Sequence, residues 1–205
     1  MRKSAYVLLA VLTIVLLLGG SASAQSDVYQ VAYFSNANTV SAPDGTLRFT
    51  NTGATVAAGV SQPLNANIYV FDNSQDIEEC CACQVSPDGL LSESVNQQLT
   101  ANTLLHTQLS AGVIKVVVNT GTADPTAVSG ASLAHGLDGW MTQAQSVAVT
   151  ALKAGPFTST QSPLQESALT AAELIALTTS CLNVQTLGSG LGRGVCSCTT
   201  EGKDF

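Results

Sequence analysis

Six cysteines stand in two clusters, Cys80, Cys81 and Cys83 in the middle of the chain and Cys181, Cys196 and Cys198 near its end. Three chemistries use sulfur at such spacing. Paired as disulfides, the clusters would staple distant segments; as thiolates they would hold a soft metal such as zinc or copper. The Cys80-x-x-Cys83 spacing also fits a redox pair. An even count in an exported chain favours disulfides. His106 and His135 have no metal-ligand spacing to the sulfurs, and no thioredoxin-like βαβ pattern surrounds Cys80. Of the 15 pairings that six cysteines allow, those that join the two clusters are expected, with the connectivity left open. Each such bridge closes a loop of about 100 residues, worth about 4–5 kcal/mol for the first in the chain-entropy account and less for each overlapping one.

Directly before the first cluster lie Asp72, Asp76, Glu78 and Glu79, the densest carboxylates in the chain. Hard oxygen ligands around a turn are what calcium takes, so these four are weak calcium candidates, while no metal site and no cofactor is assigned. The run is not an EF-hand loop, because Ile77 stands where glycine is needed and Cys83 where glutamate is needed. The alternative is a solvated acidic loop in which an aspartate caps a turn. Gly188, Gly190, Gly192 and Gly194 alternate, but they follow a helical pattern instead of opening one, so they read as a flexible link and not a phosphate cradle. No nucleophile elbow or zinc-binding helix motif occurs, and no catalytic residue is assigned. The single tryptophan, Trp140, is expected in the core.

Export is read from the N-terminus. Arg2 and Lys3 precede an apolar run from Ala5 to Leu18, and Ala22-Ser23-Ala24 offers a peptidase site. Residues 1–24 therefore read as a secretory signal, with the mature chain starting at Gln25 as a single domain over 25–205. The apolar run is shorter than the roughly 20 residues of a spanning helix, so no stable membrane insertion is expected after cleavage. The mature chain would keep all 14 acidic residues and five of the seven basic ones, hence a net charge of −9. That balance excludes a nucleic-acid partner, which requires clustered Lys and Arg against phosphate. Ser, Thr, Asn and Gln form about a third of the mature chain, so its surface acts through hydroxyls and amides.

The elements that must position these groups are mostly short strands. Val28–Phe34, Thr46–Asn51, Asn67–Asp72, Leu90–Val95 and Gly112–Asn119 are apolar or alternating, and Trp140–Gln145 and Ser146–Leu152 read as two more. Pro43-Asp44-Gly45 and Pro87-Asp88-Gly89 mark tight turns. One helix is expected over about 170–187. Thr170-Ala171-Ala172-Glu173 forms a capping box, and Leu174, Leu177, Thr178, Cys181 and Leu182 follow at helical spacing. Strands followed by one late helix imply a mainly β fold. The class expected is an antiparallel β-sandwich of the Ig-like or Greek-key type with a C-terminal helix held by disulfides.

The order Ile68-Tyr69-Val70-Phe71-Asp72, Glu79-Cys80-Cys81-x-Cys83, Pro87-x-Gly89-Leu90 and Ser94-Val95-Asn96 resembles a family of uncharacterised secreted bacterial proteins. So do Leu99-Thr100-Ala101-Asn102, Gly112-Val113-Ile114-Lys115, Asp124-Pro125-Thr126 and Gly194-x-Cys196-x-Cys198. The resemblance runs from about Thr46 to Cys198. It implies export and a stapled fold, and no activity. Relatives carry two further cysteines near the places of Asn65 and Ala123, which implies that a fourth bridge is missing here.

The functional expectation is an exported, non-catalytic structural or interaction protein of the cell surface or extracellular matrix, assembling through sheet edges. Its partner would be a second copy or another surface protein. A secreted ligand- or carbohydrate-binding module is the second reading, and a secreted hydrolase built on two carboxylates the third.

Overall fold

The structure, a computed structural model, describes residues 27–57, 59–150 and 153–199. The expected signal and the start at Gln25 lie outside them. Eleven strands and one α-helix are present among the described residues. They are β1 (Tyr29–Ser35), β2 (Thr46–Asn51), β3 (Val56–Ala57), β4 (Val60–Ser61), β5 (Leu64–Asp72), β6 (Ile77–Val85), β7 (Leu90–Ser94), β8 (Ala111–Asn119), β9 (Leu137–Thr150), β10 (Lys153–Pro163), β11 (Gln165–Glu166) and α1 (Ala171–Gly188).

Two antiparallel sheets carry the fold, one in the order β11-β1-β8-β5-β6 and the other β10-β9-β2-β7; β3 and β4 form a separate small hairpin. Period-two alternation makes their inner faces apolar. Leu47 and Phe49 of β2, Ile68 and Val70 of β5, Ile114, Val116 and Val118 of β8, and Leu137 and Met141 of β9 share one buried cluster. This is the expected sandwich. The outer face of the five-stranded sheet is covered in turn. Tyr29, Tyr69, Cys80 and Val117 on that face meet Leu174, Leu177 and Cys181 of α1 and Val128 of the loop before β9.

Thr170 caps α1 through a hydrogen bond from the Glu173 amide to its Oγ1 at 3.1 Å. The reciprocal half of the capping box is missing, because the Glu173 carboxylate turns to Tyr29 and Lys115 instead. Leu174, Leu177, Cys181 and Val184 are buried, whereas Leu182 is 52% exposed, so the helical stripe expected to include Leu182 is narrower.

Three further expectations change. Trp140–Gln145 and the part of Ser146–Leu152 up to Thr150 are not two strands but parts of the single strand β9, since no turn residue interrupts them; Ala151 and Leu152 lie outside the described residues. The segment after Ser94 becomes a single π-helical turn, Val95–Leu99, capped by the Ser94 hydroxyl. The acidic-cysteine segment is itself strand β6, hidden from periodicity because carboxylates and sulfurs occupy its buried positions.

Candidate functional site

The cysteines pair as Cys80–Cys181, Cys81–Cys196 and Cys83–Cys198, with Cα separations of 5.8, 5.2 and 5.5 Å. Strand alternation dictates this order. Cys80 faces outward and meets the helix; Cys81 and Cys83 face inward, where Cys81 and Cys196 join the sandwich core. The tail runs parallel to β6, bridged at Cys80 and Val195, so two Cys-x-Cys pairs fall in register. The Sγ atoms of Cys81, Cys83 and Cys198 lie within 4.8 Å of one another, the one such group of potential metal ligands among the described residues. All three are in disulfides here.

The alternating glycines position that tail. A Cβ on Gly188 would sit 2.0 Å from the Arg193 carbonyl oxygen, and one on Gly194 would sit 2.6 Å from Val184 Cγ1 and its carbonyl oxygen. Gly194 also has φ +77°, a left-handed conformation that costs other residues strain. Its carbonyl accepts from the Cys80 amide at 3.1 Å, and its amide donates to Asn102 O at 2.7 Å. Farther on, Thr199 donates to the Glu93 carboxylate and to Ser92 O of β7. The tail thus closes the gap between the edge strands β6 and β7.

The acidic run splits by location. Asp72 Oδ1 accepts from the amides of Ser74 and Asp76 at 2.8 and 2.9 Å, so it shapes the turn between β5 and β6. Glu78 and Glu79 are buried, and each holds the loop beside β6. Glu78 Oε2 accepts from the Leu105 amide at 3.1 Å and Glu79 Oε1 from the Asn102 amide at 2.8 Å. Burial raises the Glu78 carboxyl above the ordinary range, and raises Glu79 to about 8. Asp72, Asp76, Glu78 and Glu79 are not brought together as a ligand set among the described residues.

His106 is exposed in a turn, with φ 58°. His135 Nδ1 lies 2.6 Å from Asp27 Oδ1 at the surface. Two arrangements were not foreseen. Lys115 donates to Glu173 at 2.7 Å while lying 4.8 Å from the centroid of the Phe71 ring, and this polar pair, with Tyr29, fixes α1 on the sheet. Charge and aromatic neighbours on separate elements leave no sequence spacing to detect.

The second is the edge presented by β10. Leu164 N donates to Gly139 O at 2.9 Å, and the register of β9 and β10 is uniform from Phe157↔Ser146 to Pro163↔Trp140. Bonded and non-bonded pairs alternate in an antiparallel ladder. Leu164 is bonded, so Phe157, Ser159 and Gln161 direct their amides and carbonyls away from β9. Pro156 has no amide to give β9, and the register shifts there, between Ala154 and Phe157. Among the described residues β9 pairs with β2 only from Leu137 to Thr142, and the rest of β9 and β10 runs on without a third strand.

No protein-family model, curated protein or solved structure matches the chain.

Proposed function

We propose that this chain is an exported, non-catalytic structural or interaction protein that assembles by adding a strand of another copy to β10. The observation that carries this reading is the ladder at Phe157, Ser159 and Gln161, which is unpaired among the described residues, on a long polar strand. Unpaired strand edges are templates for pairing, and folded proteins cover those not meant to be used. Here β6 is covered by residues 102–105 and the tail, β7 carries Thr199 on Ser92, and the edge strand β11 has two residues. Pro163 ends the β10 ladder, which limits a partner strand to a short, definite register.

Three disulfides agree with an oxidising, extracytoplasmic setting. No helix among the described residues is long and apolar enough to cross a membrane. The non-catalytic reading is supported by the use of Glu78, Glu79 and Glu93 to hold backbone amides of loop and tail.

Purified mature protein is expected to form larger species as concentration rises from about 1 to 100 μM in light scattering after size exclusion. Ser159→Pro removes an outward donor while leaving the β9 ladder intact, and should keep the protein monomeric over that range. A wild-type monomer at 100 μM, or undiminished assembly of the variant, would refute strand addition at β10.

A further inference from the structure

The outer face of the four-stranded sheet carries the chain's single tryptophan. Trp140 was expected in the core, yet it stands on the outward set of β9 with Asp138 and Thr142 and is partly exposed. The inward set is Leu137, Gly139 and Met141; a Cβ on Gly139 would sit 2.7 Å from the Phe49 ring, so no side chain there could share the space. Alternation therefore places the indole outside.

Trp140 has Arg48 of β2 opposite it on one side and Pro163 of β10 on the other. Thr50 lies opposite Asp138, and Gln161 opposite Thr142. Thr50, Asp138, Trp140, Gln161, Ser162 and Pro163 line a shallow groove of about 490 Å³. That volume lies within the ~300–1,000 Å³ of small-molecule sites. Arg48 Nη1 donates to Thr142 Oγ1 at 3.2 Å, which ties the guanidinium to the sheet surface beside the groove.

We infer that this groove is a binding subsite for a neutral oligosaccharide. A pyranose ring has an apolar face of C–H bonds, which an exposed indole stacks, and a rim of hydroxyls that both donate and accept. Asp138 supplies acceptors, Gln161 a donor and an acceptor, and Thr50 a hydroxyl that does both. Pro163 extends the apolar floor. Asp138 and Arg48 balance in charge, and the chain as a whole is strongly negative, with 14 acidic and seven basic residues. Both facts disfavour an anionic glycan. The site uses the Gln161 side chain, whereas strand addition uses the Gln161 backbone, so the two properties separate experimentally.

With one tryptophan in the chain, tryptophan emission excited selectively at the red edge of its absorption reports on this groove alone. Mature protein would be titrated with neutral tetrasaccharides of β-glucan, xylan, chitin and mannan types up to about 10 mM. One of them should shift the Trp140 emission and protect it from acrylamide quenching. Calorimetry should then show binding lost in Trp140→Ala and weakened about tenfold in Asp138→Ala, as for loss of one hydrogen bond to a charged group. Ser159→Pro should bind as the wild type does. Absence of any fluorescence change or heat across the panel, binding that survives in Trp140→Ala, or preference for an anionic oligosaccharide would overturn the inference.

Discussion

Glu79 is fully buried on an edge strand, with Oε1 on the Asn102 amide and no partner for Oε2. Burial is the main cause of its rise to about 8; the Asn102 amide opposes the rise and the Glu78 charge adds to it. Its folded value exceeds the unfolded one, so the folded state holds a proton that the unfolded state has released. Stability is full below the ordinary carboxylate range and falls as pH climbs through about 8. Glu78 shifts in the same direction. Glu173 moves the other way, held low first by the Lys115 hydrogen bond, and its contribution is lost only in acid. Wild-type protein should therefore lose several degrees of Tm between pH 5 and 9. Glu79→Gln keeps the acceptor for Asn102 and cannot ionise, so its Tm should fall by less than half as much over that interval. An unchanged slope in thermal melts would disprove the assignment.

At the scale of elements, the tail depends on backbone that side chains would obstruct. Gly194 combines φ +77° with close approach to Val184. Gly194→Ala should cost about 1–3 kcal/mol through strain and displacement. Because Gly194 carries the two hydrogen bonds that seat the tail, the same variant should make Cys81–Cys196 more reducible. Gly190 is the control, since a Cβ there meets nothing within 4 Å. Gly190→Ala should melt within about 0.5 kcal/mol of wild type. Urea melts and timed thiol labelling under mild reductant read both effects. Equal behaviour of the two variants would mean that the Gly194 backbone is not what holds the tail.

For the whole molecule, the bridges join segments 101, 115 and 115 residues apart, all in one corner of the sandwich. Their loops overlap, so the contributions are not additive; the first is worth about 4–5 kcal/mol and full reduction should remove most of the net stability. Cys80 and Cys181 have no exposed surface, whereas Cys198 is the one cysteine outside the buried set. Reduction should therefore open Cys83–Cys198 first and Cys80–Cys181 last. Peptide mapping after graded exposure to dithiothreitol checks this order, and early loss of Cys80–Cys181 would contradict it.

Local pattern determined most of the strands, the helix and the class of fold. Leu47 and Phe49 alternate with Arg48 and Thr50, and burial follows that alternation without exception in β2. Thr170 and Glu173 marked the start of α1 to the residue. The cross-cluster pairing of cysteines was legible from their even count and three-plus-three clustering, but the connectivity was not. It depends on which sulfurs share a face of β6, and β6 itself was concealed because disulfide formation and loop amides allow Cys80, Cys81, Glu78 and Glu79 to be buried. Trp140 went to the surface because Gly139 takes the inward position against Phe49, a contact between strands 90 residues apart in the chain. The edge at β10 is likewise a property of order in space: hydrophobic periodicity says which face of a strand is buried, whereas neighbours brought by the rest of the chain decide which of its backbone groups are left unpaired.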